Sequence, residues 1–293
     1  MKKCFVIGLS VVASIFMLGC SSDSDNETSL AGETVQVVDQ QSAENAIASI
    51  SSIGSVASGI SELNDVILYD DVVATGIGPR SVATPRETDT WNCTDGGTIT
   101  LSGTETENSI DGQATFTNCV EGSETINGVM DLDGTMDFQE NINLVTTFNN
   151  FVITEEGVVS SLNLTFKMET NLQTMDPLSL TLTGTAQTGN MSYGYENFNM
   201  TMQNYNSTFD DFNEYEINGK TSYQVGDVNH SCANGIYDIT TLETMQRDTL
   251  GFSSGKVKVN GTTVEFQSGG TAQVTYANGE TEQINQVFEV VCN

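Results

Sequence analysis

The sequence predicts a mostly β protein: an antiparallel meander forming a strongly curved sheet, an open or closed barrel, or a sandwich, with one N-terminal amphipathic helix. Three observations predict it. From Trp91 onward, apolar and polar residues alternate with period two, which gives each strand one dry face. Asn-Gly and Asp-Gly pairs recur between the alternating segments, and such pairs tolerate the positive φ values of tight hairpins. Between Ser42 and Ile67, by contrast, the apolar residues return every three or four positions, the period of a helix lying on a surface.

The chain opens with a segment of another kind. Lys2 and Lys3 precede an apolar run from Phe5 to Leu18, followed by Gly19 and Cys20. A helix of that run reaches roughly 21 Å at about 1.5 Å per residue, against roughly 30 Å of membrane hydrocarbon, so it reads as an export signal rather than a permanent span. Its end, Met17-Leu18-Gly19-Cys20, resembles the lipobox of bacterial lipoproteins, with Met17 where leucine is usual. The resemblance covers residues 1 to 20 alone. It implies that 1–19 are a signal peptide, that Cys20 is acylated on its thiol and becomes the new N-terminus, and that the protein resides in the outer membrane, because Ser21 rather than Asp follows the cysteine. Several acyl chains, each buried CH₂ contributing about 0.8 kcal/mol, would make that tether permanent. Residues 20–34, rich in Ser, Asp, Asn and Glu, lack the apolar content to fold and read as a flexible acidic stalk.

Residues 35–90 read as a helix plus a linker. Ile47, Ile50, Ile53, Ala57, Ile60, Leu63 and Ile67 mark the apolar stripe. Gly54 and Gly59 each weaken such a helix by about 1 kcal/mol relative to alanine, so it depends on packing against something. Pro79 and Pro85 then punctuate a linker from Tyr69 to Thr90.

Residues 91–293 form the β domain. Leu162-Leu164-Phe166-Met168, Leu178-Leu180-Leu182, Val257-Val259, Val264-Phe266 and Val274-Tyr276 each predict a strand. The alternation Met191-Tyr193-Tyr195 changes phase to Phe198-Met200-Met202, which predicts a β-bulge. The phrases Ile126-Asn127-Gly128 and Ile217-Asn218-Gly219 echo one another. Four cysteines follow Cys20, and an even count in an exported chain predicts two disulfides. Three pairings are possible; Cys93 with Cys119 and Cys232 with Cys292 are expected, because each joins neighbours within one half of the domain. A barrel crossing the membrane is a poor fit, since the polar faces are crowded with Asn, Thr and acids.

Charge excludes several partners. Removing Lys2 and Lys3 takes the basic side chains from nine to seven against 39 acidic ones, and the formal charge from −30 to −32. Phosphate neutralisation needs clustered Lys or Arg, so nucleic acid is not an expected partner. Divalent cations would be attracted, but nonspecifically.

The inventory for catalysis is thin. The only histidine, His230, excludes metal sites that need two. Gly251-Phe252-Ser253-Ser254-Gly255 matches the string of a nucleophile elbow, yet the segment after it reads as a strand rather than a helix. Asp131, Asp133 and Asp137 weakly resemble a calcium loop, although a hairpin turn explains them better. Tyr193, Tyr195, Phe198 and Tyr205 are candidates for a ligand wall, or else for the core of a bent strand. The expectation is a non-enzymatic outer-membrane lipoprotein without cofactor. It meets the membrane through its lipid, and its acidic, disulfide-stabilised β domain binds a protein, glycan or apolar ligand or serves the envelope structurally. A carrier of lipid or another apolar ligand in a half-barrel, and a carboxylate-dependent hydrolase, are the alternatives.

Overall fold

The computed structural model describes residues 30, 32–50, 84–106, 108–171, 173–174, 176–206, 211–226, 231–248 and 251–286. Cys20, His230, Cys292 and the helical pattern beyond residue 50 lie outside them. Fourteen strands follow one another: β1 (Thr84–Asn92), β2 (Gly96–Glu105), β3 (Ser109–Glu121), β4 (Glu124–Met136), β5 (Asn141–Glu155), β6 (Val158–Asn171), β7 (Leu178–Thr188), β8 (Met191–Asn206), β9 (Asp211–Val225), β10 (Gly235–Asp248), β11 (Gly251–Val259), β12 (Thr262–Gln267), β13 (Thr271–Thr275) and β14 (Thr281–Asn285). They form one antiparallel meander in which each strand pairs with the next. Of the shapes open to the sequence, the structure takes the single open sheet; it is not closed into a barrel. The sheet begins at Thr84 rather than Trp91, so the end of the expected linker already pairs with β2.

Alternation places the apolar residues as expected. Leu162, Leu164 and Met168 of β6, Leu178, Leu180 and Leu182 of β7, and Val264 and Phe266 of β12 are all buried in one continuous core. The Asn-Gly and Asp-Gly pairs divide into two kinds. Asn260-Gly261 and Asn278-Gly279 stand between strands, at β11–β12 and β13–β14, as hairpin chemistry requires. Asp111-Gly112, Asn127-Gly128, Asp133-Gly134 and Asn218-Gly219 lie inside β3, β4 and β9, so the turn expectation fails for them.

Bulges explain the two Asn-Gly exceptions. Thr117-Asn118 of β3 stand opposite Asn127 alone, Asn149-Asn150 of β5 opposite Asn163, and Asn197-Phe198 of β8 opposite Gly219. Asn118, Asn150 and Asn197 take φ of 46°, 46° and 48°, a left-handed conformation that asparagine accepts more readily than most residues. The extra residue leaves an amide without its ladder partner, and a side chain supplies one. Asn127 Oδ1 accepts from Asn118 N–H at 2.7 Å, and Asn163 Oδ1 accepts from Asn150 N–H at 2.8 Å. The following glycines let the bulged backbone approach: a Cβ on Gly128 would stand 2.5 Å from Asn150 O, and one on Gly219 2.3 Å from Asn197 O. The repeated phrase Ile-Asn-Gly is thus the partner strand of a bulge, not a turn.

Each bulge also keeps two residues three apart on the buried face, where a regular strand would separate them. Phe148 and Phe151 are both buried with rings 5.2 Å apart, and Tyr195 and Phe198 likewise at 5.8 Å. The predicted phase shift is therefore present, between Glu196 and Asn199.

The N-terminal segment packs on the later strands. Ile236 N–H donates to Glu33 O at 2.8 Å and Val35 N–H donates to Ile236 O at 3.1 Å. Thr262 Oγ1 donates to Val37 O at 2.8 Å, so Glu33 and Thr34, expected in the stalk, belong to the fold. Helix α1 (40–50) follows. Asp39 caps it: its Oδ1 accepts from Ser42 N–H at 2.9 Å, and Ser42 Oγ accepts from Asp39 N–H at 3.1 Å. The Ser42 N–H, and then the Ser42 hydroxyl donating to Oδ1 at 2.7 Å, hold the Asp39 carboxyl below the ordinary carboxylate range. Ala43, Ala46, Ile47 and Ile50 are fully buried, and buried Asn45 donates to Cys232 O at 3.1 Å. Tyr237 lies beneath, its hydroxyl donating to Ala233 O and its pKa pushed up to about 12 by burial.

Candidate binding cleft

Three connections meet at one end of the sheet. They are the β2–β3 connection at Asn108, the β4–β5 turn at 137–140 and the β6–β7 connection ending at Asp176-Pro177, and they enclose an open cleft of about 850 Å³. That volume is of the size that holds a small ligand.

Hydrogen bonds from side chain to backbone build its walls. Asp137 Oδ1 accepts from Gln139 N–H at 2.8 Å and Asn141 N–H at 3.0 Å, while Oδ2 accepts from Asn141 Nδ2 at 2.9 Å. These bonds hold the Asp137 carboxyl below its usual range. Asn171 Nδ2 donates to Gln139 O at 2.8 Å, joining the β4–β5 turn to the end of β6. Asp176 Oδ2 accepts from Asn204 N–H at 3.0 Å, and Met136 N–H donates to Asn108 O at 2.9 Å. Glu169 is ion-paired with Lys167 at 2.9 Å. Asp137 and Asp176 thus hold the shape of the cleft.

Two features are not accounted for by that framework. Phe138, in the middle of the anchored turn, is 92% exposed, although burying a phenylalanine side chain stabilises by about 1.5–3 kcal/mol. Thr170 Oγ1 and Asn143 Oδ1, both on residues that line the cleft, are buried without a hydrogen-bond partner among the described residues. A buried group in that condition costs about 1–3 kcal/mol. No Lys or Arg is among the described residues lining the cleft.

The residues singled out from sequence fall elsewhere, except one. Tyr195 and Phe198 are buried in the core; Tyr193 packs against Tyr223 at 5.5 Å and Tyr205 against Phe212 at 5.2 Å. None of the four lines the cleft. Asp131 and Asp133 lie within extended β4 rather than in a loop, and only Asp137 reaches the cleft. Asp131 is engaged by Gln113 Nε2 at 2.7 Å and Asn149 Nδ2 at 2.8 Å. Among the described residues, three potential metal-ligand atoms come close together only at Cys93, Cys119 and Glu121, and the two cysteines are bonded to each other. That disulfide matches the expected pairing, with Cα atoms 5.4 Å apart. Cys232 is also disulfide-bonded, and its expected partner Cys292 lies outside the described residues. Ser253 sits in extended β11, neither in an elbow nor in a turn, with its hydroxyl donating to Gln246 O at 3.3 Å.

Sequence reasoning missed Phe138, Asn143 and Thr170. The one available signal was Asp137-Phe138-Gln139-Glu140-Asn141, an aromatic residue set in an otherwise polar turn. Compared with known protein families, curated proteins and solved structures, the chain has no match.

Proposed function

We propose that this chain is an exported lipoprotein, held at the outer membrane by lipid on Cys20, whose open sheet serves as a non-catalytic binding domain. The observation that carries the reading is the disulfide between Cys93 and Cys119, with Cys232 bonded as well. Disulfides persist in oxidising compartments outside the cytoplasm, which is where the lipobox-like ending at Cys20 would send the chain. A binding role is supported by the employment of the acids in the cleft. Hydrogen bonds hold the Asp137 carboxyl below its usual range, whereas an acid or base working near neutral pH needs a raised one, and Asp176 is engaged by Asn204 N–H.

Metabolic labelling with an alkyne analogue of palmitate tests the anchor. The full chain is expected to take up label and sediment with membranes, and the Cys20→Ser chain to do neither. A labelled Cys20→Ser chain, or an unlabelled wild type, would overturn the reading.

A further inference from the structure

We propose that Met191 is an oxidation site that the fold tolerates: peroxide converts its thioether to the sulfoxide, and the hydroxyls of Tyr193 and Tyr223 hold the oxygen it gains. The site depends on neither the lipid anchor nor the cleft.

Met191 opens β8 directly after the β7–β8 turn, at the rim of the core, and is partly exposed. Thr188 of β7 and Val225 of β9, both buried, stand beside it. Two hydroxyls reach its sulfur, Tyr193 donating at 3.6 Å and Tyr223 at 3.7 Å. The two tyrosines face one another across the β8–β9 ladder with ring centroids 5.5 Å apart, so the pairing of these strands sets both hydroxyls on one sulfur. Burial, and then the neighbouring Tyr223 and Tyr195, raise the Tyr193 pKa above its ordinary 10.0, which keeps that hydroxyl a donor. The other described methionines are placed differently. Met168, Met200, Met202 and Met245 are at most 3% exposed. Met130 and Met136 are partly exposed, with no donor to sulfur among the described residues.

A thioether sulfur accepts hydrogen bonds weakly, so in the reduced chain the two tyrosines gain little from Met191. Oxidation changes this. A sulfur lone pair attacks one oxygen of the peroxide and the O–O bond breaks. That oxygen stays on sulfur, while the other leaves as hydroxide and takes the remaining proton to become water. Sulfur gives up two electrons and the peroxide gains them. The oxygen on sulfur carries negative charge, in the product and already in the transition state, and donors placed at the sulfur serve it in both. A methionine sulfoxide ordinarily disrupts a core, because it brings in a polar group that needs partners. At Met191 the partners are in place before the reaction.

Hydrogen peroxide titration of the full mature protein in detergent, read by peptide mass spectrometry and by melting curves, tests this. Met191 is expected to gain oxygen before Met130 and Met136. The Tyr193→Phe/Tyr223→Phe chain, which keeps both rings, should gain it about tenfold more slowly. The oxidised wild type should melt within about 1 °C of its reduced form, and the oxidised double variant about 3 °C or more below its own. Met191→Leu, treated alike, gives the loss that belongs to other methionines, which is subtracted. The proposal fails if Met191 stays a thioether while Met130 and Met136 are converted, or if the two hydroxyls make no difference to its rate. It fails equally if oxidation lowers the melting temperature of wild type as far as that of the double variant.

Discussion

Glu124 faces Glu155 across the start of the β4–β5 ladder. Partial burial, and then the Glu155 charge, raise the Glu124 pKa above its ordinary 4.5. A carboxyl raised in this way binds its proton more tightly in the folded chain. Its favourable contribution is complete below the unfolded value of 4.5 and is lost as pH rises through the folded value. Glu124→Gln removes that loss. The variant is expected to melt above wild type at neutral pH, with the difference vanishing below about pH 4. Melting curves across that range check it, and a difference that grows on acidification would refute the assignment. Asp39 carries the opposite sign. Its lowered pKa supports the helix cap above 3.8, and that support is lost as pH falls through the folded value.

The element that shapes this sheet is the paired bulge and glycine. A bulge bends its strand and increases the local twist, and here bulges recur through β3, β5 and β8, strands of 13, 15 and 16 residues. The glycine opposite is the more demanding partner. At Gly219, φ is +111° and a Cβ would stand 2.3 Å from a backbone oxygen, which cannot give way as a flexible side chain could. Gly219→Ala is therefore expected to cost about 2–4 kcal/mol in urea unfolding. Asn150→Gly keeps the left-handed backbone at Asn150 and should change stability by less than about 1 kcal/mol. Equal losses from both substitutions would show that backbone approach is not the governing constraint.

At the scale of the whole molecule, the meander pairs neighbours in sequence, so few ties join distant parts of the chain. Cys93–Cys119 secures the first three strands across a sequence separation of 26. Residues 33–37 do the same for β10 and β12 by crossing about two hundred positions, as in the bond from Thr262 to Val37 with its separation of 225. Replacing Cys93 and Cys119 together by serine is expected to lower unfolding free energy by about 3–4 kcal/mol, with the urea dependence showing whether the folded state survives. A loss under about 1 kcal/mol would mean that the hairpins alone hold the first strands in place.

From the sequence alone came the mostly β class, the buried face of segments such as Leu162-Leu164 and Leu178-Leu180-Leu182, the phase change between Tyr195 and Phe198, and the expectation that Cys93 pairs with Cys119. These follow from alternation, spacing and cysteine order, all readable over short distances along one chain. Tertiary structure alone decided that the sheet stays open and that Asn127-Gly128 and Asn218-Gly219 serve neighbouring bulges instead of turning the chain. It alone brought the β4–β5 turn bearing Phe138 beside Asn108 and Asp176-Pro177 around one cleft. The reason is register. What stands beside a residue across a sheet is set by pairing with another strand, and a shift of one position there exchanges every neighbour while leaving the local pattern of letters unchanged.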